Sequence, residues 1–133
     1  MLTAIVGEIG NNSFDHNLGK WSDVPGIYYQ IIPDLKMVIL ADRGCGIFST
    51  LKNVRPNIKN DLEAITIAFT EIVSGRSPEQ RGNGLKFVKK VAEQFKIKIK
   101  FFSGLAQCEI ENGITKFSET NTKIPGTIAI IEI

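Results

Sequence analysis

The stretch KMVILADRGCGIFS, Lys36 to Ser49, decides how this chain reads. Lys36 to Ala41 is a β-rich run, and its MVILA core is apolar at every position, the mark of a strand buried on both faces. The run stops at Asp42, and Gly44 and Gly46 follow at once. Residues 42 to about 57 hold two glycines and a proline, and they read as a functional loop because they leave a core strand directly. Glycines there let a backbone approach a flat ligand closely, and the aspartate accepts a hydrogen bond from an exocyclic amine. A tight turn explains the same glycines equally well.

Working toward the N-terminus, Ile27 to Ile32 is a second β-rich run, separated from the first by Pro33, Asp34 and Leu35. That turn composition joins the two runs as an antiparallel hairpin. Residues 1 to about 17 carry Leu2, Ile5, Val6 and Ile9 at helical spacing, and the helix they predict stops near Gly19. At about 100° per residue, Glu8, Asn12 and Asp15 fall within roughly a 60° arc along the border of that apolar stripe. Amide and carboxylate oxygens are the ligands magnesium prefers, and a partly desolvated glutamate beside it serves as a general base. A solvated polar edge is the plain alternative.

Toward the C-terminus, Asn60 with Glu63 marks a helix start. Leu62, Ile65, Ala68, Phe69 and Ile72 continue its period, to an end before Ser74. Residues 74–84, SGRSPEQRGNG, predict a mobile polar loop. It leads into a helix from about Leu85 with Leu85, Val88, Val91, Ala92 and Phe95 on its apolar face. Gly82, Asn83 and Gly84 open that helix, where backbone amides hold phosphate oxygens, unless they only start the helix. The chain has no Walker loop, and Phe87 stands where a Rossmann glycine would be. Ile97–Phe102, Ala106–Ile110, Ile114–Phe117 and Gly126–Ile133 read as strands, with Asn112-Gly113 as a hairpin turn. About three helices and six strands joined by hairpins predict an α+β fold: a largely antiparallel or mixed sheet with helices on one face.

Composition sets the bounds. At 133 residues, 43% apolar and 23% charged, the chain suits one globular domain over residues 1–133 and excludes disorder. No apolar run is long enough for a membrane span, and the N-terminus lacks the basic flank of a signal peptide. A net charge of +2 gives no broad field for nucleic acid or an acidic membrane. Cys45 and Cys108 lack disulfide or metal spacing, which suits a reducing, cytoplasmic setting.

In chain order, EIGNNSFDH, ADRGCGI and RGNGLKFVKKV resemble the N box and the two glycine boxes of the GHKL ATPases. That superfamily comprises histidine kinases, ninety-kilodalton heat-shock chaperones, gyrase and mismatch-repair ATPases. The resemblance covers nearly the whole chain and implies a two-layer α/β sandwich of the Bergerat type. It also implies ATP and magnesium as cofactors, with slow hydrolysis or phosphotransfer to a partner protein in signalling. Asn12 would hold the magnesium and Glu8 would activate the attacking water. Asp42, assisted by Thr127, would receive the adenine amino group. Gly44 and Gly46 would make room for the base. Arg81, Gly82, Asn83, Gly84 and Leu85 form the second box, whose glycines would hold phosphates, and Asp15 would lie near the nucleotide. Phosphoryl chemistry of this kind rests on positioning and charge neutralisation.

Only seven residues precede Glu8, so the family's usual first strand and helix are missing from this sequence. Either the sequence is the catalytic half of a longer protein, or those elements come from another chain, or the sheet edge is left open, and an open edge predicts self-association or a partner strand there. A non-catalytic, nucleotide-dependent regulatory module is the alternative function, and a domain that has lost nucleotide binding is a third. His16 reads as an ordinary helix-end histidine. Lys96, Lys98 and Lys100 read as a solvated sheet face, Trp21, Tyr28 and Tyr29 as packing, and Cys45 as an unactivated thiol.

Overall fold

A computed structural model describes residues 4–9, 27–71 and 84–133. Residues 4–9 form helix α1, with Ile5 and Ile9 buried one turn apart. Strand β1 (Ile27–Ile32) meets strand β2 (Met37–Asp42) across a short 3₁₀ turn, Pro33–Leu35. Lys36 closes that turn in the left-handed region at φ 52°, its N–H bonded to the Pro33 carbonyl at 3.0 Å. Helix α2 (Gly46–Lys52), α3 (Asp61–Thr70) and α4 (Gly84–Phe95) follow, and strands β3 (Lys98–Glu111) and β4 (Ile114–Glu132) end the described chain. The four strands make one antiparallel sheet in the order β1-β2-β4-β3. The fold is α+β, as expected.

β3 and β4 are each one continuous element that spans two of the six expected segments, and their register keeps those segments apart: residues 98–103 pair with 127–132 and 106–111 with 114–119, with shifts on either side of Gly104. β3 nevertheless doubles back. Lys98 Nζ lies 3.9 Å from Glu111 and Lys100 Nζ 3.8 Å from Glu109. A straight strand would hold Lys98 and Glu111 roughly 40 Å apart. The fold-back falls at Gly104, whose φ of +60° is the one a two-residue hairpin asks of its first central residue. Asp61 clamps it from α3, accepting the Leu105 N–H at 3.0 Å. The Asn112-Gly113 turn forms as predicted, with φ of 52° and 79° matching the paired left-handed residues of a type I′ turn.

Residues 42–57 are not the loop the sequence suggested: α2 occupies their centre. Ile47 and Leu51, four residues apart, bury against the core, and the Thr50 hydroxyl bonds the Gly46 carbonyl at 3.1 Å. Two apolar anchors in a seven-residue helix are too few to stand out beside two glycines. Helix α3 starts as predicted, with Asn60 Oδ1 accepting the Glu63 N–H at 2.8 Å, but it stops at Thr70, short of Ile72.

The core lies between the helices and one sheet face, built around Phe69, Phe101, Ile65, Ile99 and Ile131. Phe69 meets Phe101 edge-on at 5.2 Å between ring centroids. β2 is not buried on both faces. Its burial alternates, with Val38, Leu40 and Asp42 inward and Met37, Ile39 and Ala41 partly exposed. Tyr28 and Tyr29 are 53% and 52% exposed on the edge strand, so they do not pack as expected. Phe95 is exposed as well, beyond the end of the packed face of α4. Lys96 stands outside the strand in the left-handed region, while Lys98 and Lys100 stand among glutamates. No described helix is long and apolar enough to cross a membrane.

Candidate functional site

The buried polar or charged side chains among the described residues are Asp42, Ser103 and Thr127, between 3% and 8% exposed. They fall in one row across the sheet. Thr127 is the register partner of Asp42 on one side and of Ser103 on the other. Period-two alternation places each inward: Asp42 follows Val38 and Leu40, Ser103 follows Ile99 and Phe101, and Thr127 precedes Ala129 and Ile131. A buried polar group is costly unless hydrogen-bonded, and each of these is bonded. The Thr127 hydroxyl donates to Asp42 Oδ2 at 2.5 Å, and the Gly44 N–H donates to Oδ1 at 2.9 Å. Ser103 Oγ accepts the Ile47 N–H at 3.0 Å, which ties the first turn of α2 to β3.

Two glycines make the row possible. Gly126 sits so close to β2 that a Cβ there would stand 2.1 Å from the Asp42 carbonyl oxygen. Gly46, at φ +81°, lets the chain turn from Asp42 into α2 directly over Ser103. The Cys45 thiol, half-buried in the same turn, lies 3.4 Å from the Thr50 hydroxyl. The result is a carboxylate of fixed orientation at the end of β2, under a turn whose backbone approaches closely. Such a carboxylate accepts from an amino group on a flat ring.

A second contact joins the first and third sequence clusters. Glu8 of α1 reaches the first residue of α4, where a Cβ on Gly84 would meet Glu8 Oε2 at 2.6 Å. Any side chain at position 84 would displace that carboxylate. Leu85, next in line, is 3% exposed and its side chain belongs to the core. The Glu8–Gly84 contact and the Asp42 row are separate contacts joined through one core: Ile5, Ile9, Leu40, Ile47 and Leu85 all belong to a single buried cluster.

The structure therefore brings together Asp42 with Thr127, Gly44 and Gly46, and Glu8 with Gly84. Asn12, Asp15, Arg81, Gly82 and Asn83 lie outside the described residues, as do His16 and Trp21. Among the described residues no three His, Cys, Asp or Glu side chains cluster to hold a metal. Sequence reasoning missed Ser103. Its signal was parity, since a serine at an inward position of KIKFFS needs a partner.

No protein-family model and no curated protein matches the sequence. Among solved structures, the chain is similar to the topoisomerase IV ATP-binding domain of Francisella tularensis, determined in complex with a small-molecule inhibitor. The TM-score is 0.60 over 98% of this chain at 19% identity. The chain spans 36% of the length of that structure. At this identity the likeness is one of fold alone.

Proposed function

We propose that residues 1–133 form an ATP-binding domain that holds the nucleotide with magnesium. In this reading Asp42 and Thr127 receive the adenine amino group, and Gly44 and Gly46 leave room for the ring. The amides of Arg81 to Leu85 cradle phosphates at the start of α4. Asn12, with Asp15 nearby, supplies oxygen to the magnesium, which neutralises phosphate charge when bound. Glu8 orients or deprotonates the attacking water, giving slow hydrolysis, or phosphotransfer to a partner protein. The observation that carries the reading is the buried Asp42–Thr127 pair beneath the glycine turn. The Glu8 carboxylate against Gly84 supports it, because it sets a candidate base beside a candidate phosphate cradle. A protein partner's strand would add to β1, which ends the sheet order among the described strands and whose IYYQII carries neither charge nor proline.

Calorimetric titration with magnesium-ATP tests the adenine assignment. Asp42→Asn should weaken binding by about 1 to 3 kcal/mol, since an amide group replaces a charged acceptor. Unchanged affinity refutes the role given to Asp42. Glu8→Ala should bind ATP as before yet show no product in a single turnover; a binding-only module gives no product in either protein.

A further inference from the structure

β2 and the last part of β4, MVILA and TIAII, are apolar throughout, the pattern of a sheet covered on both faces. The helices cover one. Val38, Leu40, Ala129 and Ile131 face them, while the alternate residues Met37, Ile39, Ile128 and Ile130 face the other way and remain partly exposed. Register gathers these into one patch: Ile39 lies beside Ile130, and Ala41 beside Ile128, which lies beside Phe102. A contiguous apolar patch of this kind marks an interaction surface.

Its border says what fits there. Lys98 and Lys100 stand on one limb of the folded β3, Glu109 and Glu111 on the other, and Lys116 pairs in register with Glu109. Lys98 Nζ also lies 3.3 Å from Glu132. The border thus runs lysine, glutamate, lysine on neighbouring strands about 4.8 Å apart and carries no net charge. A nucleic acid or a strongly acidic protein finds no field to bind. A second copy turned about a two-fold axis finds a match, laying apolar patch on apolar patch and its lysine limb over the other copy's glutamate limb.

We infer that the outer face of the sheet is the interface of a two-fold homodimer, with Ile39 and Ile130 of each copy at its centre. The inference is independent of nucleotide binding and places the second copy on the face of the sheet rather than at the β1 edge.

Sedimentation velocity across the micromolar range tests it. The wild-type chain should show a concentration-dependent dimer. Ile130→Lys, folded by circular dichroism, should associate at least about tenfold more weakly, while Ile130→Leu keeps the dimer. Should Ile130→Lys fail to fold, Lys100→Glu gives the second reading: its side chain is 40% exposed, and reversing its charge should also weaken the dimer markedly. A wild-type monomer at every concentration overturns the inference. So does a dimer indifferent to both substitutions, or one lost only in Tyr29→Lys on the β1 edge.

Discussion

At Gly126 the space for a side chain is already filled by the Asp42 backbone and carboxylate, at 2.1 Å and 2.7 Å from where a Cβ would stand. Gly126→Ala must therefore push β4 from β2 at the point where Thr127 bonds Asp42. We expect a loss of about 2 kcal/mol or more, of the size seen when packed interiors are overfilled, read as a lower urea midpoint. A midpoint within error of wild type would show that the strands have slack there. Cys108 makes a different residue-scale case. Burial, with Glu93 and Glu109 adding to it and Lys89 opposing, pushes its thiol up from 9.0 to about 12. Because the folded value is the higher, the stability contributed by the neutral thiol is complete below pH 9 and is lost as pH climbs from there toward 12. Cys108→Ala should lose less stability than wild type between pH 8 and pH 10.5 in urea titrations; parallel losses would assign the alkaline limb to other groups. The sequence named Asp42 and Gly46 from chemical type and spacing, and Thr127 only through the family resemblance. It could not show that Ser103 stands beside them, because that neighbourhood is made by pairing strands far apart in the chain.

At the scale of elements, helix α3 was legible because its start is local chemistry: Asn60 Oδ1 caps the Glu63 N–H within one turn. Asn60→Ala should cost about 1 kcal/mol, measurable by chemical denaturation, whereas Asn60→Asp should cost far less. Equal effects of the two would mean that the cap contributes nothing. The Asn112-Gly113 turn was legible for the same reason, since two adjacent residues that tolerate positive φ suffice for it. Helix α2 was not. Seven residues carry too little periodicity, and what holds this helix is tertiary: Ile47 and Leu51 in the core and the Ile47 N–H on Ser103. The reversal of β3 at Gly104 is likewise held by a tertiary contact, the Asp61 carboxylate of α3 accepting the Leu105 N–H.

At the scale of the molecule, the reading as a nucleotide-binding domain predicts that magnesium-ADP stabilises the whole fold. At a ligand concentration about 100 times the dissociation constant the gain should be about 2.7 kcal/mol, seen as a rise in melting temperature. A melt unmoved by saturating magnesium-ADP and magnesium-ATP would leave a domain with this fold and no nucleotide. The sequence by itself determined the α+β class, the antiparallel hairpins, the capped helix α3 and the chemical types at the candidate site. Each of these is written in periods and neighbours a few residues apart. Only the tertiary structure decided that Asp42, Thr127 and Ser103 share one buried row, that Glu8 closes on Gly84, and that half of the apolar β2 run faces away from the helices. Those facts depend on strand register and helix placement, which contacts such as the Asp42–Thr127 bond, 85 positions apart, select and which no local pattern encodes.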